Sequence, residues 1–130
     1  MPRVRAVAGL SMLAAACLLG TPAGKFEPAR GPRGVTAELR LVERGHLQGE
    51  LLAVAESALV VRTSVITVVR YQSLRVGVFR QVGTVSFGGR APANRDRERL
   101  RRVSRFPQGL SPELLQRLLQ AYGQAEPAVY

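Results

Sequence analysis

The stretch from Val35 to Val82 constrains this chain more than any other. Its centre, Gly49 to Leu74, concentrates the β-branched and aliphatic residues in short runs broken by polar ones. Val35, Ala37, Leu39 and Leu41 alternate with Thr36, Glu38, Arg40 and Val42. That period of two predicts a half-buried first strand. Arg44-Gly45-His46 reads as a turn and Leu47 to Val54 as a second strand. The doublet Leu51-Leu52 implies burial on both faces or a bend, and Gly49 implies a bulge or tight corner. Ala55-Glu56-Ser57 then turns the chain into a third strand, Ala58 to Arg62, and Thr63-Ser64 into a fourth, Val65 to Arg70. In the fourth, Val65, Thr67 and Val69 face one way, Ile66 and Val68 the other. Tyr71-Gln72-Ser73 reads as one helical turn. Leu74 to Val82 reads as a fifth strand, with Val76, Val78 and Val82 set against Phe79. Val85 and Phe87 either prolong it or form a sixth. Strands at this spacing predict a closed or nearly closed small β-barrel over residues 35–88, which also removes sheet edges.

Two segments carry a resemblance. Gly45-x-x-x-Gly49-Glu-Leu51, followed by a turn and Leu59-Val60-Val61, is similar to the first signature of the Sm-like proteins. Val68-Val-Arg70-Tyr-Gln-Ser-Leu74 is similar to the second. The resemblance, which covers Val35 to about Val82, implies a mainly β, five-stranded SH3-like or Sm-like barrel. It departs from the pattern where the RNA-binding residues would lie. Tyr71 stands in place of a glycine, Glu56 sits one residue later than the Sm aspartate, and Val60 takes the place of the asparagine that contacts bases. The fold is implied by this likeness; the function is not.

Met1 to Gly20 reads as a bacterial export signal. Arg3 and Arg5 form a positive start, and Ala6 to Gly20 is an uncharged run shorter than a membrane span. Leu13-Ala-Ala-Ala-Cys17 resembles the lipobox of bacterial lipoproteins, which implies lipidation at Cys17. Ordinary secretion with cleavage near Ala16 or Ala23, and an uncleaved anchor, are the alternatives. Cys17 is the only cysteine in the chain, so no internal disulfide exists. Residues 21–34 hold Pro22, Pro28 and Pro32 with Gly24, Gly31 and Gly34, and read as a tether. The implied location is the cell envelope, either membrane-anchored or free in the periplasm or outside the cell.

Charge follows a different logic. The chain has a formal net charge of +10, and only Lys25 among its 19 basic residues is a lysine. Arginine forks bind phosphate and carboxylate bidentately, although a GC-rich genome favours the same residue. Residues 94–123 predict one or two helices after the barrel. In Arg90 to Arg105, seven arginines oppose Asp96 and Glu98. Asn94 is a candidate cap. Arg95, Arg97, Arg99, Arg101, Arg102 and Arg105 form a candidate anion-binding surface for lipid headgroups, nucleic acid or an acidic partner. Leu100 and Val103 leave only a narrow apolar stripe. No aromatic residue interleaves these arginines, which argues against base stacking on single-stranded nucleic acid.

The last helix has the clearest local grammar. Ser111 is an N-cap, Pro112 takes the first helical position and Glu113 favours the dipole. Leu110 and Leu115 form a staple. Leu115, Leu118, Leu119 and Tyr122 make one apolar stripe, and Gly123 ends the helix. So short a helix must dock, and that stripe is its predicted face against the apolar residues of strands one and five, unless a partner, a second copy or the membrane surface takes it.

The chemistry-bearing residues do not assemble into a catalytic set. His46 is the only histidine, no serine sits in a nucleophile motif, and no metal-ligand spacing is present. Glu43, Glu50 and Glu56 fall on positions read as solvent-facing. The expectation is therefore a non-enzymatic envelope protein without cofactor or metal, an interaction or scaffold module with a lipid-anchored membrane contact and an envelope protein partner. A nucleic-acid-binding Sm-like protein is the alternative.

Overall fold

The computed structural model describes residues 33–130. The segment read as an export signal, Cys17 and the stretch read as a tether, up to residue 32, lie outside the described residues.

The described chain is mainly β, with two helices near its end. Six strands form in sequence: β1 (Thr36–Leu41), β2 (His46–Val54), β3 (Ala58–Arg62), β4 (Ile66–Arg70), β5 (Leu74–Phe79) and β6 (Gly83–Ser86). A 3-10 turn at Tyr71–Ser73 joins β4 to β5. Helices α1 (Asn94–Val103) and α2 (Pro112–Ala121) follow, then a two-residue strand β7 (Ala128–Val129). All seven strands belong to one sheet, in the order β6-β5-β1-β2-β3-β4-β7. Every pairing is antiparallel except β4 with β7.

The sheet is not closed. A barrel would join the outer edges of β4 and β5, but each is filled from elsewhere. β6 turns back on β5 through Arg80–Val82, where Gln81 adopts a left-handed backbone (φ 75°). β7 arrives from the end of the chain and pairs with β4, Thr67 opposite Ala128. The sheet still curls, because one buried cluster joins residues from its distant strands. Ala37, Leu39, Leu51, Leu59, Val69, Leu74, Phe79 and Val85 pack together with Phe87 and Leu100. Tyr71 and Phe87 stack at 5.8 Å across this core, and Phe79 meets Phe87 edge-on. Tyr71 also donates to the Ala55 carbonyl at 2.7 Å, so its buried hydroxyl is satisfied.

A second core covers the opposite face of β2–β4. Leu52, Ala53, Val60 and Ile66 bury Leu118 and Leu119 of α2. The doublet Leu51-Leu52 thus serves both cores, one residue to each, and the register shifts between Leu51 and Ala53. In β4, Val69 enters the first core while Ile66 and Val68 lie in the second. Exposed Val65 falls just outside the strand. In the fifth strand the alternation holds, with Gly77 and Phe79 inward and Val78 exposed, but the strand ends at Phe79 and Val82 belongs to the turn. Gly49 is not at the bulge. A Cβ there would collide with the Arg62 carbonyl, so close strand approach is what requires glycine.

Candidate anion-binding surface and helix interface

Helix α1 begins without a side-chain cap. Ala93, not Asn94, occupies the N-cap position, and Arg97 N–H donates to its carbonyl. Leu100 is fully buried in the first core and Val103 packs beside it, so the narrow apolar stripe pins α1 to the sheet. The helix exit is stitched to β2 by backbone bonds: Arg105 N–H to the Leu51 carbonyl at 3.0 Å, and Phe106 N–H to that of Leu52 at 2.8 Å.

This placement divides the six candidate arginines. Arg99 meets Asp96 at 3.5 Å and donates to the Val82 carbonyl, while Arg101 pairs with Glu98 at 3.0 Å. Both bridges are solvated, of the kind that contributes at most about 1 kcal/mol. Arg97 is half-buried, and its Nε is buried with no hydrogen-bond partner among the described residues. Burial raises the Tyr71 pKa, and the charges of Arg97 and Arg101 partly oppose that rise. Arg95 and Arg102 are exposed.

Arg105 does not belong to the surface. Its side chain is 5% exposed and lies 3.7 Å from the Glu50 carboxylate, itself 6% exposed. Burial pulls the Arg105 pKa down, and Glu50 counteracts that pull most. Glu50 also accepts from Gly34 N–H at 2.8 Å and from Arg62 Nε at 3.2 Å. One carboxylate therefore ties together the entry to β1, strands β2 and β3, and the exit of α1. The alternation of β2 does put Glu50 on the face away from the first core. That face is covered here by the chain after α1, which corrects the solvent-facing reading. The signal in the sequence was a lone acid flanked by Gly49 and Leu51, with no hint of what would cover it.

Helix α2 starts as its grammar predicts. Ser111 Oγ accepts from Leu114 N–H at 3.1 Å, with Pro112 at the first position and Glu113 in the first turn. Its C-terminus is a Schellman motif. Gly123 has φ 67°, its N–H donates to Gln120, and Gln124 N–H donates to Leu119. Leu118 and Leu119 are buried, and Leu115, Tyr122 and Leu110 pack around them. The helix lies over β2, β3 and β4, not over β1 and β5 as the sequence reading had it.

The motif also aims Gln124. Its side chain accepts from Ile66 N–H at 2.7 Å and donates to Ile66 C=O at 3.2 Å, imitating a neighbouring strand. β7 continues that pairing, and Tyr130 N–H and C=O bond Val68 and Arg70. The outer edge of β4 is thus covered from Ile66 to Arg70.

Fold and surface together define a small, mainly β domain with an arginine-bearing helix at its side. No family model matches the chain, and comparison with curated proteins and with solved structures gives no match either.

Proposed function

We propose that this protein is an exported, lipid-tethered, non-enzymatic interaction module of the bacterial envelope, whose helix α1 rests on an anionic surface. Its scaffold reads as a member of the SH3-like or Sm-like small-barrel class. Five consecutive strands curled around one core, with a 3-10 turn between the fourth and fifth, support that kinship. The observation that carries the function is the division of the α1 arginines. Leu100 and Arg105 hold the helix down, while Arg95 and Arg102 stay exposed beside the solvated pairs of Arg99 and Arg101. A tether ending at Gly34 and a basic helix on the same small domain would contact one membrane together. Each arginine near an anionic leaflet contributes on the order of 1 kcal/mol. Among the described residues no helix is long and apolar enough to cross a membrane.

The test is co-sedimentation of the full chain carrying Cys17→Ser with vesicles of phosphatidylglycerol or phosphatidylcholine. Partition to the anionic vesicles should fall with salt and weaken roughly 30-fold in Arg95→Ala/Arg102→Ala, from about 1 kcal/mol per charge. Equal partition to both vesicles overturns the surface reading. Metabolic labelling with a palmitate analogue tests the tether: label should be lost in Cys17→Ser, and its persistence excludes lipidation there.

A further inference from the structure

A second basic cluster lies at the β1–β2 hairpin, made by residues that the α1 reading does not use. Arg40, Arg44, His46 and Arg75 line one shallow depression of about 380 Å³, with Leu41, Val42, Glu43 and Gly45. Arg40 and His46 are directly opposite each other in the β1–β2 register, which puts their side chains on one face. Arg44 comes from the hairpin turn, where Gly45 supplies φ 121°.

Arg75 reaches the site through an irregularity in pairing. Arg40 faces Val76 and Leu41 faces Leu74, so Arg75 is the extra residue of a bulge between β1 and β5. Bulges re-aim side chains. This one is held from behind: the Arg75 carbonyl accepts from Phe87 N–H at 2.9 Å and from Gly88 N–H at 3.0 Å. The hairpin is held too, by Val42 N–H on the Ser73 carbonyl at 2.8 Å and Leu41 N–H on that of Gly45 at 3.1 Å. The backbone under three arginines is therefore fixed before any ligand arrives. Glu43 is the single carboxylate lining the depression. By contrast, the groove between α1 and residues 107–109 places Glu98 against Arg101, and much of its charge is already matched.

We propose that Arg40, Arg44 and Arg75, with His46, form a binding site for a phosphate group. Three arginines lining one depression call for more acceptor oxygens than its one carboxylate offers, and a phosphate supplies them. The group could be carried by a lipid headgroup or by a small soluble phosphate, and the depression is open enough for either.

The experiment is an amide NMR titration of the full chain carrying Cys17→Ser, first with inorganic phosphate and glycerol phosphate, then vesicle binding as above. Saturable shifts confined to residues 40–46 and 74–76 are expected with the soluble ligands if the source is a free phosphate. If the source is a headgroup, those soluble ligands leave the spectrum still, and only phosphatidylglycerol vesicles bind in a way that Arg40→Ala/Arg75→Ala weakens. In whichever arm binds, that double variant should lose at least tenfold in affinity, while Arg95→Ala/Arg102→Ala leaves the saturable phosphate shifts in place. An unchanged spectrum of the double variant in the absence of ligand, outside the substituted residues, shows that it folds. Shifts that grow without saturation at every arginine, or a double variant that binds both probes like the parent, overturn the site.

Discussion

Replacing Glu50 by alanine is expected to destabilise the protein by about 3–5 kcal/mol, the cost of breaking a buried ion pair by removing one partner. The magnitude follows from what is left behind. Arg105 is only 5% exposed, its burial already pulls its pKa down, and Glu50 is the first influence opposing that. Without the carboxylate, the buried guanidinium keeps the Phe106 ring at 5.6 Å but faces the like charges of Arg33 and Arg62, and the Gly34 N–H loses its acceptor. For a domain of this size each kcal/mol shifts the melting temperature by roughly 4–8 °C, so a loss of about 12–40 °C follows. Arg105→Met should cost much less, because Glu50 keeps both Arg62 and Gly34. Glu50→Leu/Arg105→Met should recover most of the loss, since well-packed apolar replacements of buried pairs are often neutral. Thermal melts of these proteins together with Glu50→Leu alone close a double-mutant cycle. If both single changes cost under about 1 kcal/mol and simply add, the buried-pair reasoning is wrong.

Leu118→Ala should cost about 2–5 kcal/mol, because Leu118 is 2% exposed beneath α2, whereas exposed Gln116→Ala should stay within about 0.5 kcal/mol; equal denaturation midpoints for the two would refute the docked helix. Tyr71→Phe should cost about 1 kcal/mol at neutral pH through the lost bond to Ala55. Because burial raises the Tyr71 pKa above 10.0, the native state keeps its phenolic proton longer than the unfolded chain. The stability it contributes is whole below pH 10.0 and is lost as pH climbs toward the raised value, so the gap to Tyr71→Phe should shrink there in melts across that range. Gln124→Ala should speed hydrogen exchange at the Ile66 amide by tenfold or more while leaving the amides of β1 unchanged; unchanged exchange at Ile66 would show that the side chain is not its partner.

Much of the sheet was legible because its alternation is local. The two faces of β4 and the double duty of Leu51-Leu52 both follow from a period of two. The start of α2 was legible for the same reason, since Ser111, Pro112 and Glu113 act within one turn. What failed was long-range. Glu50 reads as exposed until Arg105, distant in sequence, arrives over it. The Arg75 bulge depends on how β5 registers against β1, which no residue in β5 announces. β7 is two residues long and acquires its meaning only from pairing with β4. Of the six arginines read as one surface, the fold removes Arg105 and engages Arg99 and Arg101, because the helix is oriented by Leu100 and Val103 against the core.

The covered edge of β4 has a consequence for how copies of this chain can meet. Exposed strand edges recruit more strands, and a sheet open at both sides can lengthen without limit from molecule to molecule. Here Gln124 and the segment through Tyr130 already occupy one side. Among the described residues the opposite end is β6, a strand of four residues. Two copies joined through β6 would present at either end only β7, an edge two residues long, which leaves little template from which such a pair could lengthen.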